Sequence, residues 1–72
     1  MDANRQALLD RFARRLRAAR RRAGLSQKAL AARAHISRPF LVYMEGAKRE
    51  PSIVTVVALA KALGVPVTAL LG

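Results

Sequence analysis

The sequence predicts an all-α fold of five short helices, and three observations point to it. Apolar residues recur at spacings of three and four along most of the chain, the period of helices with one buried stripe. A serine stands ahead of each later apolar run, at Ser26, Ser37 and Ser52, where its hydroxyl can cap a helix start. Hydrophobic residues make up 53% of the chain and aromatic ones only 4%, so the interior must be built from Ala, Leu, Val and Ile. Helices packed closely through alanine suit that supply.

The first helix is expected from Asp2, a suitable N-cap, to Ala23, with Gly24 as its stop. Leu9, Phe12, Leu16, Ala19 and Ala23 form its apolar stripe, and its other faces carry Arg11, Arg14, Arg15, Arg17, Arg21 and Arg22. Ser26 caps a second helix of about two turns through Leu30, Ala31 and Ala34. The segment Ala34-His35-Ile36-Ser37 breaks the chain, and Ser37 then caps a third helix ending near Met44 or Glu45. Pro39 falls in its first turn, where the missing N–H costs little. Ile36, Leu41 and Met44 lie on one face of this helix and read as core.

Gly46 to Pro51 is a polar connection, and Ser52 can cap a fourth helix after it. Local signals conflict there. Ile53-Val54-Thr55-Val56-Val57 is β-branched and strand-like by propensity, whereas Ala58 to Leu63 followed by Gly64 is helical. Ile53, Val56, Leu59, Ala60 and Leu63 keep helical spacing across both pieces, which predicts one helix. Pro66 to Leu71 has room for a final turn or two.

With 72 residues, the chain has the size of one domain, expected over 1–72, and such a chain buries only about 60% of the surface it exposes when unfolded. No cysteine is present, so disulfides and thiolate metal sites are excluded, and the lone His35 cannot build a metal site by itself. No cofactor or small-molecule ligand is expected. Catalysis is not expected either, because one histidine, four acids and no cysteine assemble no nucleophile with its base, and no glycine loop cradles a phosphate.

Fourteen Lys and Arg against four Asp and Glu give a formal charge of +10, so a polyanion is the expected partner. Thirteen of the fourteen basic residues precede position 50, and residues 51–72 carry only Lys61. Neither a secretory signal nor a membrane span is recognisable, which makes a cytoplasmic protein the simplest reading.

Two short serine-capped helices joined by a tight turn, at about 26–45, have the geometry of a helix-turn-helix, whose second member lies in the major groove of DNA. Read in order, Leu25-Ser26-Gln27-Lys28-Ala29-Leu30-Ala31, Ile36-Ser37-Arg38, Glu45, Lys48-Arg49, Pro51 and Leu59 to Val65 resemble the phage-repressor family of Cro-like and Xre-like regulators. The resemblance covers about residues 12–71. It implies a lambda-repressor-like five-helix DNA-binding domain, a sequence-specific regulator of transcription and more often a repressor, bacterial or phage-encoded.

Residue by residue, the resemblance implies that Gln27 binds a backbone phosphate and braces the reading helix, while Arg38, Pro39 and Tyr43 face base edges. Phe40, Lys28 and the Lys48-Arg49 loop match positions along the sugar-phosphate chain, and Arg20 and Glu45 match a structural ion pair between the first and third helices. The chemistry favours Arg38 as the main specificity residue, because its guanidinium can pair bidentately with guanine O6 and N7. Pro39 offers only its ring to a thymine methyl. Tyr43 can reach a phosphate or a thymine methyl, or cap the edge of the core instead.

Three residues depart from the family pattern. The glycine after Glu45 stands at Gly46 rather than at the position of Ala47, His35 replaces a frequent turn glycine, and Val42 replaces a usually polar residue on the DNA-facing side. Histidine does tolerate a left-handed backbone better than most residues.

Proteins of this type bind as two-fold dimers on half-sites about one helical turn apart. Val65, Val67, Leu70 and Leu71 are the expected dimer contacts, and Val54, Val57 and Ala58 are also more apolar than a solvated face needs. Competing readings are a DNA-binding antitoxin, the N-terminal recognition domain of a longer regulator, and, more remotely, a basic amphipathic helix over 2–23 resting on an anionic membrane.

Overall fold

Five helices make up the described residues, 2–72 in this computed structural model, in the order α1 (Asp2–Arg22), α2 (Gln27–Ala34), α3 (Arg38–Glu45), α4 (Ile53–Leu63) and α5 (Thr68–Leu71). The expected cap at Asp2 falls on a side chain outside the described residues. Each of the three serines caps its helix by accepting a backbone N–H three residues on: Ser26 from Ala29 at 3.0 Å, Ser37 from Phe40 at 3.2 Å and Ser52 from Thr55 at 3.1 Å. Such a cap satisfies one of the orphan donors of a first turn and contributes about 1 kcal/mol.

The helix ends share a second device. At Gly24, His35, Ala47 and Gly64 the backbone turns left-handed, and the next N–H reaches back to the last turn of the helix. Leu25 N–H donates to Arg20 C=O, Ile36 to Ala31, Lys48 to Tyr43 and Val65 to Ala60, all between 2.8 and 3.1 Å. Two of these four turns use glycine. The two that bracket α3 use His35 and Ala47 at φ 58°, where a Cβ crowds the backbone at a cost of roughly 1–2 kcal/mol.

The core is aliphatic and draws on every helix. Phe12, Leu16 and Ala19 from α1 pack with Leu30, Ala31 and Ala34 from α2, Leu41 and Met44 from α3, Val56, Leu59, Ala60 and Leu63 from α4, and Leu70 from α5. Ala13 of α1 is buried as well, outside the stripe read from spacing. At 1.5 Å per residue the 21 residues of α1 reach about 31 Å, close to the 34 Å length of the molecule, so α1 is the beam against which α3 and α5 pack.

Three expectations need correction. The β-branched run from Ile53 is helical, but Ile53 itself is 68% exposed rather than part of the buried stripe: it sits at the first position, before α4 meets α2. Ala23 is exposed, because the chain has already left α1 for the Gly24 turn. Leu70 is fully buried in the core, so it presents no surface to a partner chain, and of the four expected dimer contacts only Leu71 is exposed, at 41%.

Candidate nucleic-acid interface

The third helix is positioned from behind by a polar network around Glu45, the one buried polar residue among those described. Glu45 is 4% exposed, yet its carboxylate is fully engaged. Arg20 of α1 grips it bidentately, Nε to Oε2 at 2.6 Å and Nη2 to Oε1 at 3.0 Å, while its remaining nitrogen, Nη1, donates to Leu25 C=O at 3.0 Å. Gln27, the first residue of α2, donates its amide N–H to Glu45 Oε1 at 3.2 Å. One carboxylate thus ties α1, α2 and α3 together. No buried polar side-chain atom among the described residues lacks a partner.

Arg17 adds a contact that spacing did not suggest, because it reads as one of several arginines on a solvated face. Its Nη1 donates to the backbone carbonyl of Glu45, at the negative end of the α3 dipole. The signal was available in principle: Arg17 and Arg20 stand three apart on α1, so both reach the same point on a neighbouring helix.

Held in this way, α3 turns Leu41, Met44 and Glu45 inward, and turns Arg38, Pro39, Val42 and Tyr43 outward. Tyr43 is 52% exposed and does not cap the core edge, and Val42 is exposed beside it. An α-helix with its side chains is about 10–12 Å across, which fits a major groove about 12 Å wide, and the eight residues of α3 extend about 12 Å along it. The face is mixed: one guanidinium and one phenol beside two apolar side chains.

The candidate backbone residues surround this face. Lys28 is exposed in the first turn of α2, close to Gln27. Phe40 is half-buried against the core, and the Arg49 guanidinium lies 5.4 Å from its ring centroid, a cation–π contact that steadies Arg49 while leaving it exposed. The loop that carries Lys48 and Arg49 is also held from α1, where Arg5 pairs with Glu50 at 3.0 Å and the Gln6 amide approaches Ala47 C=O at 3.5 Å.

On the remaining surface, Val65 and Val67 are partly buried against the core, as is Ala58. The apolar side chains left in solvent are Ile53, Val54 and Val57 on α4, with Leu71 on α5 and Leu8 on α1. No helix among the described residues is long and apolar enough to cross a membrane. The apolar stripe of α1 from Phe12 to Ala19 faces the protein core, so it is not available to a lipid surface.

Residues 11–71 match the family model described as a helix-turn-helix domain. Among solved structures the chain is similar to the restriction-modification controller protein C.AhdI from Aeromonas hydrophila, with 36% identity and a TM-score of 0.86 over 89% of this chain and 97% of that one. No curated protein sequence matches it.

Proposed function

The chain belongs to the helix-turn-helix domain family as a sequence-specific DNA-binding transcriptional regulator, and on that premise we propose that it acts as a two-fold homodimer, each protomer inserting α3 into the major groove of one half-site. The observation that carries this reading is the outward face of α3, with Arg38 and Tyr43 exposed on a helix whose inner face is locked by the Arg20–Glu45–Gln27 network. In this reading Arg38 pairs with guanine, Tyr43 and Pro39 contact neighbouring base edges, and Gln27, Lys28, Lys48 and Arg49 hold phosphates. Phe40 acts on the sugar-phosphate chain chiefly by seating Arg49.

Gln27 can serve both neighbours. Its amide has two N–H groups and Glu45 occupies one of them, which leaves the other for a phosphate at the start of α2, where the helix dipole also favours an anion.

The dimer surface in this proposal moves from the end of the chain to α4. Ile53, Val54 and Val57 form an exposed apolar face, 68%, 74% and 37% accessible, and Leu71 adds to the apolar surface, with Val65 and Val67 contributing only their exposed edges. The whole 1–72 chain acts as one recognition domain, in the cytoplasm of a bacterium or from a phage. The likeness to a restriction-modification controller protein favours a regulatory role, with repression as the simplest outcome when a dimer covers a promoter.

The test compares single substitutions on the best duplex recovered from a random pool and on random duplex. Arg38→Ala lowers affinity for the recovered site by about 1–3 kcal/mol and barely affects random DNA. Lys48→Ala and Arg49→Ala weaken both and each reduce the slope of log affinity against log salt by about 0.9. Equal losses on both duplexes for Arg38→Ala remove it from base reading.

A further inference from the structure

The positive charge of this chain is far larger than the reading surface uses. Arg11, Arg14, Arg15, Arg21 and Arg22 are all exposed on the outer face of α1, opposite the Phe12, Leu16 and Ala19 stripe. The two ion pairs among the described residues engage other arginines, Arg5 and Arg20. Asp10, the acid nearest in sequence, accepts a hydrogen bond from Gln6, and Arg15 reaches over Gly72 at the end of α5.

Such a pattern works against an isolated helix. Arg11 meets Arg14 and Arg15 at i+3 and i+4, and Arg17 meets Arg21 at i+4, arrangements in which like charges repel. A face kept merely soluble is better served by alternating signs. All five residues are arginine, whose planar fork matches phosphate oxygens.

We propose that the outer face of α1 is a second, sequence-independent DNA-binding surface, which grips the phosphate backbone of another duplex segment while α3 occupies the first. From Arg11 to Arg22 the stripe runs about 16 Å, a length over which one DNA strand presents about five phosphates. The stripe and the reading face point away from each other, because α1 and α3 meet through their inner faces at Arg20 and Glu45. A duplex lying along α3 is stiff over about 150 bp and does not wrap round to α1 without a sharp bend. The second segment is therefore a separate duplex or a distant stretch of the same one, and the protein bridges the two.

In the test, the full chain is bound to an immobilised duplex carrying the site recovered from the random pool, so that α3 holds it, washed, and offered a fluorescent random-sequence duplex in solution. The wild type captures the second duplex. A variant with Arg11→Gln, Arg14→Gln, Arg15→Gln, Arg21→Gln and Arg22→Gln, helical by circular dichroism, binds the first duplex within about threefold of wild type and loses capture of the second by about tenfold or more. The corresponding five-lysine variant keeps most of it. Arg38→Ala leaves capture per molecule of bound protein intact, which separates a failure here from a failure of base reading. Undiminished capture by the glutamine variant overturns the proposal, as does a parallel loss of first-duplex binding, which places the stripe on the same duplex as α3. Displacement of the second duplex by poly-glutamate as readily as by DNA of matched charge overturns it too, in favour of an acidic protein partner. If five substitutions prevent folding, Arg14→Gln with Arg21→Gln and Arg22→Gln carries the same test with a smaller loss.

Discussion

The two halves of this small molecule are held by different means. From α1 to α3 the apolar core is supplemented by a buried carboxylate that gathers Arg20 and Gln27 around Glu45, and nearly all the charge lies on this side. From α4 onward packing is purely apolar, Lys61 is the only charged residue, and Ile53 and Val54 stand in water. The difference tracks what the proposed dimer asks each half to meet. A helix that reads bases has to be held at a defined angle, which directional hydrogen bonds do better than aliphatic contacts. A face that meets a second copy of the chain needs only apolar area and an absence of charge.

Damage to the polar half should be the most severe. Glu45→Ala leaves Arg20 buried without its partner and costs about 3–5 kcal/mol, enough to unfold much of so small a domain, as measured by urea denaturation. The paired replacement Arg20→Met with Glu45→Leu recovers most of that stability but loosens α3, so DNA affinity falls while the melting midpoint does not. If DNA affinity and stability return together, the network has no positioning role.

Damage to the apolar half acts on assembly instead. Val54→Asp places a charge on a residue that is 74% exposed, so protomer stability changes by less than about 0.5 kcal/mol, while self-association measured by sedimentation equilibrium weakens by about tenfold or more. Unaltered self-association moves the dimer contact away from α4.

A milder change probes the exit from α3, where the two halves join. Ala47 holds φ 58°, whereas Gly46, at φ −94°, has no need of glycine, and a Cβ there meets nothing nearer than 3.5 Å. The glycine thus stands one residue before the strained position. Ala47→Gly is expected to raise stability by about 0.5–1 kcal/mol, with the melting temperature rising by several degrees. No gain in thermal denaturation means the strain is already relieved by the loop contacts with Arg5 and Gln6.

Much of this architecture is legible in the sequence, and for local reasons. The serine caps, the Gly24 and Gly64 turns and the inward residues Leu41 and Met44 depend on neighbours within four positions. The rest depends on contacts that periodicity does not carry. Ile53 to Val57 has strand propensity, overridden because Val56, Leu59, Ala60 and Leu63 bury one helical face in the core. Leu70 and Leu71 look equivalent in sequence, yet a short terminal turn buries one and exposes the other. Arg17 differs from its neighbours only in lying beside the last carbonyl of α3. The residues proposed to read DNA were nameable through family resemblance, and Val54 and Val57 of the apolar α4 face by their lack of polarity, whereas Ile53 joins that face only once burial is known.

Whether α3 reads DNA from a two-fold dimer is decided by selecting bound duplexes from a random pool with the unmodified protein. The expected outcome is an enriched pseudo-palindrome whose half-sites lie about one helical turn, roughly 34–36 Å, or a small multiple apart, with a guanine in each half-site that loses its enrichment for Arg38→Ala. Recovery of a single asymmetric site, or of no enriched sequence at all, rules that arrangement out.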